Sequence, residues 1–502
     1  MFVSFESIFK ITTTQRLQVT SKLSLLFVFL LSTNMSLAAN SVWYSSGDPL
    51  QTKLLSLPKL PDGYIEPSSG CGSIDLTRPI SLAEVANASL CNNPQTSEVW
   101  ANTRVQAAQL GIAKSAYLPN ISDNISSSSS VLIPQSSARN NPTFNLGNSL
   151  VASYLLYDFG NRDANLENAR QLLLSASASQ SSTVQAILLS ATVAFYQVQA
   201  NIAALTAARE AEQASSESFK AADARYKVGV STPADKLQAQ TAYAQLTLAR
   251  ITNEGNLQTA YGNLANVMGL PANKKISIIS NLTAEENMPA NILEDVNVLI
   301  EQASVRRPDL IARAAQVKAA EANIDASKAA AKPSVSVSMS NNWQDGSGLA
   351  ANNTSTLGLS VSIPIFYGYA PSYRIRAAEA TADLRVAQRD RLRLQISLDV
   401  WTAYQSLRTA NESVTATNVL VKSAEESYRV GLGRYKAGVG NIIDTLNAQS
   451  ALASARQQKI QASLNSNIAR ATLAQSIGAL DNAMIQSLPS ATVNNIVQKS
   501  LN

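Results

Sequence analysis

Two stretches of the chain alternate apolar and small polar residues with a period of two. From Ser334 to Ser340 the apolar positions are Val335, Val337 and Met339, with serines between them. From Leu357 to Phe366, Leu357, Leu359, Val361, Ile363 and Ile365 alternate with Gly358, Ser360 and Ser362. Leu146, Leu150, Ala152, Tyr154 and Leu156 alternate in the same way with Gly147, Ser149 and Ser153, and a weaker alternation begins near Ile121. A period of two gives each face of a strand one residue type, so the pattern predicts four strands with one apolar and one small, polar face. They are expected near 121–130, 145–157, 334–343 and 357–366. The polar links, within 126–145 and 341–353, read as longer than a hairpin needs.

Most of the remaining chain reads as helix. Asn161 to about Tyr226 and Ser372 to about Tyr435 contain no proline and few glycines. At a rise of about 1.5 Å per residue each would extend about 100 Å, longer than an ordinary globular domain accommodates. A shorter helix precedes each pair of strands, Leu82–Ala116 stopping before Pro119 and Val296–Ala331 stopping before Pro333. A return helix follows each long one and carries a heptad series, Leu237, Ala244 and Ile251 in the first and Leu446, Ala453 and Ile460 in the second. That spacing predicts a coiled-coil seam of alternating large and small knobs.

This plan runs through the chain twice. Residues 218–269 set against 427–478 at a constant offset of 209 share 18 identities in 52 positions without a gap, more than enrichment in Ala and Ser would give by chance. Arg225-Tyr226-Lys227-Val228-Gly229-Val230 matches Arg434-Tyr435-Lys436-Ala437-Gly438-Val439, and Asp235 and Leu237 follow as Asp444 and Leu446 do. Upstream, Asn93-Pro94 and Pro119 match Arg307-Pro308 and Pro333 at an offset of 214, loops between absorbing the slip. The division is a first repeat over 82–285 and a second over 286–482, with a Ser-, Pro- and Gly-rich segment over 40–81 and a tail over 483–502.

Composition narrows the chemistry. Charged residues make up 15% of the 502-residue chain, against about 25% in average usage. The net charge of +5 is diffuse, so no basic block marks a nucleic-acid groove and no nucleic-acid partner is expected. There is no histidine and there are two cysteines, Cys71 and Cys91, which removes His-based catalysis, zinc fingers and His-ligated haem. No acid, base and nucleophile set converges, so the chain is not read as an enzyme, and no cofactor or metal site is expected. The glycine turns at Gly229 and Gly438 are not phosphate loops: no strand precedes them and no Gly-Lys-Ser/Thr follows.

Met1–Ala39 carries Lys10, Arg16 and Lys22, then the apolar run Leu23–Leu31, then Ser36-Leu37-Ala38. This is the layout of a secretory signal, with cleavage expected after Ala38 or Ala39. The run is half of the roughly 20 residues that span a bilayer. No later stretch reads as a transmembrane helix, so any membrane insertion is expected through a β-barrel. Export to an oxidising compartment makes a Cys71–Cys91 disulfide the expected state, since no third thiol competes.

The order of these elements resembles the outer-membrane factor family, the TolC-type channel-tunnels of Gram-negative efflux and type I secretion. The carriers are Asn93-Pro94, Ala116-Tyr117-Leu118-Pro119 before a strand, Tyr157-Asp158-Phe159-Gly160 after one, and the duplicated Arg-Tyr-Lys-x-Gly-Val turns. The resemblance implies an α+β membrane protein, a homotrimer with four strands per chain closing one twelve-stranded barrel in outer-membrane lipid, continued by a periplasmic tunnel of coiled helices. Implied partners are a periplasmic adaptor and an inner-membrane ABC or proton-driven pump. It places the periplasmic tips and adaptor contact at Arg225, Gly229, Val230, Arg434, Gly438 and Val439, and a gate at Asp444, Asn447, Asp235 and Tyr435. Asp444 stands where the family can carry a carboxylate ring. Asn447 and Gly440 replace a second acid and a base, and Tyr435 and Asp235 are candidates for a hydrogen bond between tips. Asp235 and Asp444 also suit helix N-termini without any gate. The alternative is a secreted coiled-helix filament, which predicts no barrel and no dependence on detergent.

Overall fold

The computed structural model describes residues 48–52, 76–131, 143–279, 295–347 and 349–480. The leader, Cys71 and the 483–502 tail lie outside them, as does the expected boundary between the repeats at 285. Residues 48–52 form a turn in which Gln51 N–H donates to Asp48 O at 3.1 Å.

The first repeat comprises α1 (Leu82–Asn92), α2 (Pro94–Ser115), β1 (Asn120–Ser130), β2 (Thr143–Tyr157), α3 (Asn161–Lys227) and α4 (Pro233–Val267). The second comprises α5 (Val296–Arg306), α6 (Pro308–Ala329), β3 (Ser334–Gly346), β4 (Leu349–Ser362), α7 (Ala370–Lys436) and α8 (Ile442–Ser476). The helices match pairwise in length at 11, 22, 67 and 35 residues. Duplication therefore extends beyond the residues that remain identical.

The single helix expected over 82–116 is two, and so is its counterpart over 296–331. Pro94 and Pro308 each occupy a first helical turn, where a missing N–H costs nothing, and force the preceding Asn93 and Arg307 into extended backbone. Asn93 closes α1 and caps α2, its Oδ1 accepting from Gln95 N–H at 2.9 Å while its Nδ2 donates to Val267 O at 3.3 Å. Each kink rests on the end of a return helix. A Cβ on Gly269 would lie 2.4 Å from Asn92 O, and one on Gly478 3.1 Å from the backbone of Arg306 and Arg307. Arg307 ties the second kink to α7, pairing with Asp309 at 2.7 Å and Asp399 at 3.0 Å.

Four helices stand side by side at every level. Near the sheet the order is α2, α3, α6, α7; beyond the kinks it is α4, α3, α8, α7, so the two long helices run through both levels. The main core lies at mid-length, where Phe195 and Tyr196 of α3 are buried with Val85, Leu264, Met268 and Leu464. A second cluster joins Ile396, Val400 and Leu407 of α7 to Leu299 and Leu473. An 18-residue window of α3 is apolar enough to cross a membrane, contrary to the expectation of no such segment, but half of it is buried in this packing.

The strands form one antiparallel sheet in the order β1-β2-β3-β4. Register settles the faces. Val335, Val337 and Met339 pair with Val361, Leu359 and Leu357, and Ser336, Ser338 and Ser340 with Ser360, Gly358 and Thr356. Among the described residues no helix packs over either face, and Leu357, Leu359 and Val361 are 76%, 69% and 54% exposed. The fourth strand differs from expectation at both ends. It stops at Ser362, ahead of Pro364, which cannot donate to a ladder, and it starts at Leu349, because its polar upper half has no apolar alternation to reveal it. The link from β3 to β4 is correspondingly shorter than the sequence suggests, β3 ending at Gly346 and β4 beginning at Leu349.

Each exit from the sheet holds two left-handed residues in a row, Phe159 and Gly160 (φ 53° and 89°) and Gly368 and Tyr369 (φ 59° and 62°). A bulky side chain at positive φ is strained, and here it serves an edge-to-face aromatic pair at each exit: Tyr157 with Phe159 at 4.7 Å, Phe366 with Tyr369 at 5.4 Å. These rings are exposed, as aromatic girdles at a membrane interface are. Asp158 braces the first exit, accepting from Arg162 N–H at 2.9 Å and Nε at 3.1 Å.

Candidate functional site at the hairpin tips

The two Arg-Tyr-Lys-x-Gly-Val turns fold alike. Gly229 and Gly438 take φ of 78° and 79°. Val230 N–H donates to Arg225 O and Val439 N–H to Arg434 O, both at 3.0 Å, while Gly229 and Gly438 reach Tyr226 O and Tyr435 O at 3.0 and 3.1 Å. These paired bonds form the helix-ending motif that a left-handed glycine permits. Val230 and Val439, each 71% exposed, project beyond the turns.

The return helices begin under side-chain caps. Asp235 completes a capping box with Thr232, its Oδ2 accepting from Thr232 N–H at 3.0 Å as Thr232 Oγ1 accepts from Asp235 N–H at 3.2 Å. Asn441 caps α8 by accepting from Ile443 N–H at 3.1 Å. Asp444 lies in that first turn, exposed, with Asn447 exposed one turn on. Both aspartates thus stand at the positive end of a helix dipole.

Nearest the tips, Arg225 joins the two hairpins within one chain. Its guanidinium lies 4.3 Å from the centre of the Tyr435 ring and Nη2 donates to Tyr435 O at 2.9 Å. Tyr435 is 6% exposed. The expected Tyr435–Asp235 bond is not formed within the chain, because the Asp235 carboxylate is turned back to cap its own helix. Gly440 shows why no basic side chain stands there: a Cβ would meet Tyr435 N at 2.9 Å and Arg434 C at 3.0 Å.

Further contacts were not singled out by sequence. Lys227 and Lys236 converge on Asp223 at 2.7 and 2.8 Å, and their hydrogen bonds, Lys227 first, hold its carboxyl below the usual range. In the second hairpin Thr445 Oγ1 donates to Gly431 O at 3.2 Å, across a close approach of α7 and α8. Higher on the α3–α8 seam, Gln449 donates to Ala211 O at 3.2 Å, and Arg456 bridges Glu210 at 2.9 Å and Glu425 at 3.0 Å. Only the duplication itself pointed to this region; α3 and α8 have no sequence proximity that would reveal their seam. Among the described residues no group of His, Cys, Asp and Glu could hold a metal ion. Cys91, in the last turn of α1, is disulfide-bonded.

The profile of the family described as "Outer membrane efflux protein" matches residues 85–270 and 299–479, and these two blocks follow the two repeats. Protein CyaE of Bordetella pertussis is 28% identical over 388 residues, covering 76% of this chain and 80% of that protein. Outer membrane efflux protein BepC of Brucella suis is 27% identical over 424 residues, 81% of this chain and 88% of its own. Among solved structures, the open state of the Neisseria gonorrhoeae MtrE outer membrane channel superposes with a TM-score of 0.70 at 19% identity, covering 85% of this chain and 98% of that one.

Proposed function

The chain belongs to the outer membrane efflux protein family, and from that premise we propose that its paired tip turns form the periplasmic gate of an export duct, held shut by the Arg225–Tyr435 clasp. The protein is a trimeric channel-tunnel of the Gram-negative outer membrane, with a β-barrel continued into the periplasm by helices. It is the exit duct of a tripartite export system that includes an adaptor and an inner-membrane pump. The family consists of channels rather than enzymes.

The observation that carries the gate is the clasp. It is the hydrogen-bonded link nearest the tips between the α3/α4 and α7/α8 hairpins, so moving one hairpin against the other breaks it first. A guanidinium over an aromatic ring contributes about 0.5 to 2 kcal/mol, and a charged hydrogen bond about 1.5 to 3. Gly229, Val230, Gly438 and Val439, with Arg434 beside them, offer an adaptor a rigid, repeated apolar point on each hairpin. Asp444 faces the pore axis of the trimer, where three carboxylates attract cations.

In planar bilayers, Arg225→Ala should raise the open fraction of the purified trimer at least tenfold and Asp444→Ala should lower cation preference. An unchanged open fraction in Arg225→Ala detaches the clasp from gating; unchanged selectivity in Asp444→Ala leaves that residue only its helix-terminal role. The same channel serves type I protein secretion or efflux of small toxic compounds, the pump deciding which. Co-purification with the adaptor and either an ABC or a proton-driven pump distinguishes the two.

A further inference from the structure

We propose that the described strands of this protein bring no fixed charge to the barrel lumen, so that the barrel section of the duct passes cationic, anionic and mixed-charge cargo alike. The proposal rests on the barrel reading above. In a closed barrel one sheet face meets hydrocarbon and the other meets water. The face of Val335, Val337, Leu357, Leu359 and Val361 is the one suited to lipid. The face of Ser336, Ser338, Ser340, Thr356 and Ser360 therefore lines the pore.

Register carries this assignment across all four strands. Ser340 pairs with Val151 of β2, which pairs with Ser122 of β1; Asn342 pairs with Ser149, which pairs with Asn124. The Asn342 and Ser149 side chains are hydrogen-bonded at 2.6 Å, which places them on one side of the sheet. The four strands contain no Lys or Arg and two acids, Asp123 and Asp345. Those acids pair with Leu150 and Leu146, on the opposite face from the serines. Asp123 also lies level with Asn341 through Leu150, and Asn341 pairs with Ser355, so it stands where the outward apolar band gives way to polar residues.

Every described strand position on the inward face is thus neutral, and most are Ser, Thr, Asn or Gly. Hydroxyls and amides keep such a wall wetted, while a fixed carboxylate or ammonium would retain segments of opposite charge. Threefold assembly multiplies whatever a chain places there, and here it multiplies zero. Charge discrimination then resides in the helical part, ahead of the barrel.

The test uses the full-length trimer in lipid, with Ser338→Cys and, separately, Met339→Cys. Cationic and anionic methanethiosulfonate reagents of similar size are added from the extracellular side; the native disulfide does not react. At Ser338→Cys both reagents should react, with a rate ratio within about twofold of that for free cysteine, whereas a local potential of one kT per charge separates them about sevenfold. Adding Ser360→Asp to the Ser338→Cys protein should shift the ratio toward the cationic reagent by at least that factor, which shows that the assay senses a lumenal charge. A ratio of sevenfold or more without the added aspartate overturns the proposal. Reaction at Met339→Cys with protection at Ser338→Cys instead overturns the barrel facing on which it rests.

Discussion

Gly269 and Gly438 have nearly the same backbone conformation and opposite surroundings, so the same substitution at each separates two physical costs. Both lie in the left-handed region, at φ 71° and 79°, where an L side chain costs about 1 to 2 kcal/mol. At Gly438 a Cβ meets nothing within 4 Å, so Gly438→Ala should cost that amount alone. At Gly269 the added carbon would lie 2.4 Å from Asn92 O and 2.6 Å from Asn92 C, which is backbone held at the α1–α2 kink beside the disulfide-bonded Cys91. The kink must shift, and overpacking of this kind adds about 1 to 3 kcal/mol, giving roughly 2 to 5 kcal/mol per chain. The assay is the temperature at which detergent-purified trimers dissociate on gels, with circular dichroism to follow helix loss. Gly269→Ala should lower the midpoint clearly more than Gly438→Ala, and Asn93→Ala, which removes the 3.3 Å bond to Val267 O and the 2.9 Å cap on Gln95 N–H, should fall between them. Equal midpoints for the two glycine variants would refute the reasoning that the kink is seated on the end of α4.

Other expectations follow from the same coordinates. Val361→Arg puts a charge on the lipid face and should destabilise the barrel by about 2 to 4 kcal/mol per chain near mid-membrane, whereas Ser360→Arg should assemble and change conductance; equal tolerance would mean the faces are reversed. Material purified without reductant should show a Cys71–Cys91 linkage by peptide mapping and no alkylatable thiol. Tyr435→Phe keeps both the ring beneath Arg225 and the carbonyl it bonds, so its open fraction should stay near wild type while that of Tyr435→Leu rises; a large effect of Phe would give the phenol a partner in the trimer. The depressed Asp223 carboxyl contributes stability above its unfolded pKa that is lost as pH falls through the lower folded value. Hydrogen exchange at the first tip should therefore accelerate only below about pH 4, and Asp223→Asn should abolish that dependence.

The sequence by itself determined the elements and their duplication. Period-two alternation located the strands because one face had to be apolar and the other small and wet. Long runs without proline located α3 and α7 to within two residues at each end, and the repeated Arg-Tyr-Lys-x-Gly-Val placed both tips. These are local signals, written in consecutive residues. Tertiary structure decided what depends on partners distant in the chain. Asn93 and Arg307 read as points within one helix until the ends of α4 and α8 are seen to seat their kinks. Asp235 carries the residue type a latch needs, yet its own N-cap claims the carboxylate, and Arg225 takes Tyr435 across 210 positions of sequence. The polar upper half of β4 has no alternation of its own and is a strand only because β3 offers it a ladder.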